Sequence, residues 1–215
     1  MRLKVRLIRQ DKNSNDCGLA CVSMLLRYYN INKTITELKS EIKVYENVGT
    51  YEPELAKYLL EQKFEVEIIT MNPHLFTKKL KKKSDKELIF YLDNLAKNTK
   101  NRDFKEVEIY FEKVLKLGGK LNIKVPTRED VYDEIKKGNP LLVSVTSNFL
   151  FSKKANFNFH YNIITGIDEK YVYVNDPLWD ERGGKHKYLI DDFIYAIYAS
   201  AYGDMGNASL MKVWK

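Results

Sequence analysis

Cysteine is scarce in the 215-residue sequence, which contains only Cys17 and Cys21, four residues apart. A disulfide over so short a distance cannot hold together a fold of this size, so both side chains are expected to be reduced thiols. Reduced thiols are typical of a reducing compartment. The sequence therefore predicts a cytoplasmic protein.

Long apolar runs are also missing. No stretch approaches the roughly 20 residues of a membrane-spanning helix, and residues 1–9 alternate apolar with charged side chains instead of leading into an apolar signal region. We therefore expect no membrane span and no export. The composition of 44% apolar and 13% aromatic residues is nevertheless sufficient for a substantial core, which excludes fibrous and disordered classes.

Glycine-rich phosphate-binding motifs and metal-binding motifs are absent as well. The sequence has no Gly-x4-Gly-Lys-Ser/Thr run and no Gly-x-Gly-x-x-Gly. Metal-ligating residue types occur, but Cys-x3-Cys within one buried helix lacks the Cys-x2-Cys spacing of zinc sites. The cysteines and histidines of the sequence are Cys17, Cys21, His74, His160 and His186. We predict no metal site and no cofactor.

Positive charge is concentrated in one place. The net charge is +7, and the stretch between Lys78 and Lys86 contains six lysines and a single acid. This lysine run lacks the arginines and interleaved aromatic residues with which proteins bind nucleic acid, so no nucleic-acid partner is predicted. The run is either a solvated face or a contact for an acidic protein or a lipid surface.

Hydrophobic periodicity predicts the elements of the N-terminal part. Period-two alternation indicates a half-exposed strand over residues 3–9. Apolar residues on nearly every face of residues 17–29 predict a central helix that is buried all round. Asp16 or Asn15 is expected to cap its N-terminus, and Asn30 is expected to end it.

The remaining pattern places helices before a sheet. Residues 72–124 are lysine-rich and helical in pattern, and we interpret them as an insertion within a single domain of residues 1–215. Helices first and an antiparallel sheet last predict an α+β fold. The other predicted elements are helices at 34–42, 53–63, 128–137 and 191–199, strands at 64–70, 141–145 and 187–190, and a hairpin of 157–167 with 171–175.

Cys17 is the residue with the most distinctive chemical position. A thiol in the first turn of a helix is close to the positive end of the helix dipole and to unpaired N–H groups, which favour the thiolate. Gly18 lowers helix propensity by roughly 1 kcal/mol relative to alanine, which is best explained by a close approach to the backbone, such as that of a substrate chain. The alternative is that Cys17 is a small apolar filler, as we expect of Cys21.

Hairpin geometry links His160 with Asp176. A three-residue turn after Ile167 sets Tyr171 opposite Ile167, and continued pairing then sets Asp176 opposite Asn162. Asp176 is then diagonal to His160 on one face, about 7–8 Å away between Cα atoms and within hydrogen-bonding reach. A two-residue or four-residue loop without a bulge puts the two side chains on opposite faces.

These residues suggest a catalytic arrangement, with a structural alternative for each. Asp176 can fix the tautomer of His160, which then exchanges a proton with Cys17. The side-chain amide of Gln10 and the backbone N–H of Cys17 can hold an oxyanion. The alternatives are a structural histidine, an aspartate that forms a turn before Pro177, and a surface glutamine.

Three motifs resemble the C39 family of papain-like cysteine peptidases: QDKNSNDCGLAC at residues 10–21, HYNIITGID at 160–168 and YVYVNDP at 171–177. The resemblance covers roughly residues 5–70 and 127–200. It implies a papain-like fold in which N-terminal helices pack on a C-terminal antiparallel sheet.

The resemblance also implies a role for each site residue. Cys17 is the nucleophile, His160 the general base and acid, Asp176 the residue that orients it, and Gln10 the oxyanion donor. Gln10 lies seven residues before Cys17, where the family pattern leads us to expect about six.

The function predicted from the sequence is hydrolysis of a peptide bond, for example in processing a peptide or leader sequence, with a peptide or protein as substrate. Two other functions use the same residues. One is an acyl or amide transferase, in which an amine or thiol replaces water. The other is a catalytically silent peptide-binding module, in which residues 72–124 serve as a docking element or lid.

Overall fold

One sheet organises the chain in the computed structural model, which describes residues 1–46, 48–152, 154, 158–202 and 209–215. Its strands in chain order are β1 (Glu65–Thr70), β2 (Lys120–Ile123), β3 (Leu141–Val145), β4 (His160–Ile167), β5 (Tyr171–Asp176), β6 (Gly184–Leu189) and β7 (Ser209–Trp214). These strands lie in the order β2-β1-β7-β3-β4-β5-β6. The pair β1 and β2 is parallel, and the other neighbours are antiparallel.

Helices cover both faces of this sheet. They are α1 (Cys17–Tyr28), α2 (Ile35–Glu41), α3 (Glu52–Glu61), α4 (Asp85–Asn98), α5 (Arg102–Lys116), α6 (Arg128–Lys137), α7 (Ser147–Phe151) and α8 (Ile190–Ala199), with 3₁₀ turns at Lys78–Lys82 and Ser200–Tyr202. Adjacent strand residues alternate between two cores, as Leu142 and Leu141 do in β3. One core contains α1, α3, α4 and α5, and the other contains α6 and α8.

Helix α1 is the central helix that the sequence predicts. Every residue from Cys17 to Leu26 is buried, which explains why apolar side chains occur on all its faces. Its end is a Schellman motif: Asn30 adopts a left-handed φ of 63°, its N–H donates to Arg27, and the N–H of Ile31 donates to Leu26. The predicted stop at Asn30 is therefore confirmed.

The lysine-rich segment 72–124 connects the two parallel strands. It leaves β1, forms α4 and α5, which pack against each other, and returns as β2 beside β1. Its buried side chains, among them Leu92 and Phe111, belong to the same core as α1 and α3. The segment is thus a helical crossover that shares its core with the rest of the chain. Its status as an insertion within one domain stays a prediction.

The predicted strand at residues 3–9 is wrong. In the structure residues 3–9 have no strand pairing with any described residue, and the preceding Arg2 makes an isolated bridge to Gly166. The physical reason is that β4 already has β3 and β5 on its two edges. The segment attaches where β4 is irregular: the N–H of Leu3 donates to Thr165 and the N–H of Ile167 donates to Met1.

The hairpin of β4 and β5 differs from the prediction at its turn. Ile167 pairs with Val172 instead of Tyr171, so the loop is one residue longer than predicted. A β-bulge between Ile164 and Gly166 shifts the register back, and Ile163 then pairs with Asn175 as expected. The predicted strand start at Phe157 lies outside the described residues.

Gly18 is required by packing inside the chain. A Cβ atom at Gly18 would lie 2.1 Å from Thr50 Oγ1 and 3.3 Å from Tyr161 Cδ2. Thr50 and Tyr161 are themselves buried and hydrogen-bonded to each other, the Tyr161 hydroxyl donating to the Thr50 carbonyl. The close neighbour of the Gly18 backbone is therefore Thr50, not the substrate chain that the sequence suggested.

We expect Gly18→Ala to lower the free energy of unfolding by about 1–3 kcal/mol, because the added methyl overpacks this contact. Thr50→Ala in the same chain should recover part of that loss, since it removes the nearest atom. Urea unfolding of the two single variants and the double variant measures the coupling. An undiminished stability of Gly18→Ala, or strictly additive losses, contradicts the packing explanation.

Candidate active site

Cys17 is the first residue of α1 and is 9% exposed. At this position it is adjacent to the backbone N–H groups of the first turn, which have no partner within the helix. Cys21 lies one turn further into the core and is fully buried. Burial, together with the negative charges of Cys17 and Asp176, raises the pKa of Cys21 well above its ordinary value. The two thiols therefore occupy very different environments.

The preceding Asp16 does not act as the predicted cap. Its backbone precedes the helix, but its side chain makes no capping hydrogen bond. The carboxylate is instead 2.6 Å from the Lys39 ammonium, and Lys39 also contacts Asp11 at 3.5 Å. An ion pair with a residue of α2 has replaced the local cap.

His160 and Asp176 meet at one end of the β4–β5 hairpin. His160 begins β4, Asp176 ends β5, and Nε2 of the imidazole is 2.8 Å from Oδ1 of the carboxylate. Both side chains are buried. Asp176 also accepts hydrogen bonds from the backbone N–H of Leu178 at 2.9 Å and from the Asn162 amide at 3.4 Å. The carboxylate is thus held by three donors.

His160 also reaches Cys17. The Cys17 side chain is close enough to interact electrostatically with the imidazole, and because Nε2 already bonds Asp176, Nδ1 is the ring nitrogen left for the thiol. Burial alone would lower the pKa of His160, but the negative charges of Cys17 and Asp176 and the hydrogen bond to Asp176 raise it to about 10. Burial tends to raise the pKa of Asp176, and the charge of His160 outweighs it and lowers that pKa. These shifts favour an imidazolium paired with the Asp176 carboxylate.

Gln10 lies between the two loops that flank this arrangement. Its side-chain amide donates to the Ser14 carbonyl at 2.5 Å, in the loop that leads into α1. Its backbone N–H donates to the Pro177 carbonyl at 2.8 Å, directly after Asp176. The side chain is 7% exposed, so the surface alternative for this glutamine is wrong.

Arg9 is a neighbour of the site that the sequence reasoning missed. Its guanidinium donates to the carbonyls of Leu178 and Asp180 at 2.7 Å each and to that of Gly183 at 3.2 Å. These three carbonyls belong to the loop between β5 and β6, whose Leu178 N–H holds Asp176. One cation thereby fixes the loop that supports the carboxylate. Only its position beside Gln10 could have suggested this role.

The described part of the chain offers neither a metal cluster nor a membrane-spanning helix. Among the described residues, no group of three or more His, Cys, Asp or Glu side chains is arranged to hold a metal ion. None of the helices within the described ranges combines the length and the apolar content that crossing a bilayer requires.

Comparisons with known proteins give a consistent result. Residues 2–210 match the model of the Peptidase_C39 like family. A C39-like peptidase from Bacillus anthracis is 16% identical, with 99% of this chain and 95% of that chain covered and a TM-score of 0.55. A double glycine motif protease from an AMS/PCAT transporter, solved in complex with the leader peptide, is 16% identical. The match covers 99% of this chain and 92% of that chain, with a TM-score of 0.51. No curated protein sequence matches the chain. The likeness to the solved structures confirms the predicted papain-like α+β fold.

We expect Asp176→Asn to lower the pKa of His160, because the imidazolium loses a carboxylate at hydrogen-bond distance. The effect expected of such a carboxylate is about 1–3 pH units. An NMR titration of the histidine ring signals measures it, and His74 and His186 serve as internal controls. An unchanged His160 midpoint would show that the carboxylate does not stabilise its charged form.

We expect Arg9→Met to accelerate hydrogen exchange of the Leu178 amide, because the loop between β5 and β6 loses three hydrogen bonds. Arg6→Met, which removes an exposed arginine from the same segment, is the matched control and should leave that amide unaffected. Equal exchange in both variants would mean that Arg9 does not fix this loop.

Proposed function

The chain belongs to the Peptidase_C39 like family, and on that premise we propose that it is a cysteine peptidase with Cys17 as its nucleophile. The observation that carries the proposal is the buried hydrogen bond between His160 and Asp176, with Cys17 beside the imidazole at the start of a buried helix. Nucleophile, base and orienting group are the three parts that thiol catalysis requires.

In the first half of the proposed reaction, the Cys17 thiolate attacks the carbonyl carbon of a peptide bond. The charge that develops on the oxygen is stabilised by the backbone N–H of Cys17 and by the side-chain amide of Gln10. Gln10 has a second amide hydrogen for this purpose, since its bond to Ser14 uses one of two. His160 gives its proton to the leaving amine, and an acyl-enzyme remains on the sulfur.

In the second half, water attacks the acyl-enzyme. His160 is now neutral and takes a proton from that water, while Asp176 keeps Nε2 in place and stabilises the imidazolium that forms again. The carboxylic acid leaves, and the thiolate–imidazolium pair is restored. The raised pKa of His160 supports this cycle, since it keeps the imidazole protonated beside Cys17 before attack.

The substrate in this proposal is a peptide or a segment of a protein. Both thiols are free, which fits the reducing compartment expected from the sequence, and the cytoplasmic location stays a prediction. Leader-peptide processing remains one form of the proposal, as does transfer of the acyl group to an amine instead of water.

We expect Cys17→Ala to abolish cleavage of a proteome-derived peptide library, while Cys21→Ala retains it, because Cys17 and not Cys21 interacts electrostatically with His160. Mass spectrometry of new peptide termini gives the readout. Residual cleavage by Cys17→Ala at the parent rate would refute the proposal. Ligated products with an added amine, in place of hydrolysis, would assign the transferase.

The same assignment can be checked without a substrate. Iodoacetamide should alkylate Cys17 at mildly acidic pH much faster than the buried Cys21, and His160→Ala should remove this difference without changing Cys21. Equal, slow alkylation of both thiols would favour the catalytically silent module.

A further inference from the structure

A groove of about 650 Å³ lies on α4, away from the candidate active site. We call it the α4 groove. It lies beside the C-terminal end of the lysine run, and two of the run's six lysines line it. Its apolar lining is Leu80, Phe90, Tyr91 and Leu95, and its cationic lining is Lys83 and Lys86. Glu87 also lines the groove and pairs with Lys83, so the groove combines an apolar surface with the positive charge of Lys86.

Phe90 is the most exposed large apolar side chain among the described residues, at 69%. It does not contribute to the packing of α4, whose buried stripe is Leu88, Leu92 and Ala96. An aromatic side chain in this position leaves apolar area in water without a gain for the fold. Aromatic side chains of this kind are common anchors of protein interfaces.

The lysine run that leads to the groove is largely without acidic partners. Lys83 pairs with Glu87 at 2.6 Å, whereas the other lysines of the run have no acidic partner among the described residues. These are Lys78, Lys79, Lys81, Lys82 and Lys86. Such like charges repel one another, and an acidic partner would relieve that repulsion.

We propose that the α4 groove binds an acidic segment of a protein partner, which places an apolar side chain against Phe90 and its carboxylates against the lysine run. A peptide side chain can fill a concave apolar site, whereas a lipid surface requires several protruding apolar residues along one helix face. The groove has one such protruding residue, which is why a protein segment is favoured. The inference does not depend on turnover at Cys17.

The test is a selection of random displayed peptides on the full chain carrying Cys17→Ala, so that bound peptides stay intact. The selected peptides should be rich in Asp and Glu with an aromatic or large aliphatic residue. A synthetic copy of the most frequent peptide is then titrated by fluorescence anisotropy at low and high salt. High salt should weaken its binding, because the lysines are exposed.

Two double variants show where the peptide binds. Lys86→Ala with Phe90→Ala should raise its Kd by about tenfold or more, which corresponds to about 1.4 kcal/mol. The matched control is Tyr132→Ala with Lys136→Ala on α6, which removes an exposed aromatic and a lysine four residues apart on the other face of the sheet. The control should leave the Kd unchanged.

Three results would overturn the proposal. The first is a set of selected peptides without acidic residues. The second is binding that the variant at Lys86 and Phe90 leaves intact. The third is Phe90-dependent binding to phosphatidylserine vesicles without such binding to the peptides, which would assign a lipid surface instead.

Discussion

The buried pair of His160 and Asp176 is the constraint on which much of the structure depends. Two ionisable side chains at 5% and 1% exposure are stable only if every charge finds partners, because water cannot solvate them there. The surrounding chain supplies those partners from distant positions. Asn162 and Leu178 bond the carboxylate directly, and Arg9 holds the loop that presents Leu178. Removal of the Asn162 or Leu178 donor leaves part of the buried carboxylate without compensation.

Much of the fold and of the candidate site could be predicted from the sequence, where local pattern and chemistry coincide. Helix α1 was predictable because a helix that is buried on all sides has apolar residues on all its faces. Its end at Asn30 was also predicted correctly. The pairing of His160 with Asp176 followed from strand parity. Two errors cancelled in that derivation, since the turn is one residue longer than assumed and a bulge restores the register.

The parts that could not be predicted depend on contacts between distant segments. Residues 3–9 alternate like a strand, but no free strand edge is available where they run. Asp16 reads as a helix cap, but Lys39 of α2 takes its carboxylate. The three carbonyls bound by Arg9 lie about 170 positions away in the chain. In each case the result depends on which distant segment supplies the hydrogen-bonding or ionic partner. The local sequence pattern carries no information about that partner.

The bulge in the β4–β5 hairpin has a consequence for chains that diverge from this one. Deletion of one residue from the turn after Ile167 would by itself rotate His160 and Asp176 onto opposite faces of the sheet. Loss of the bulge alone would do the same. A related hairpin that keeps His160 and Asp176 on one face should therefore change its turn length and its bulge together. An alignment that places a gap in the turn should accordingly be checked for a second gap near Thr165 before Asp176 is assigned a counterpart.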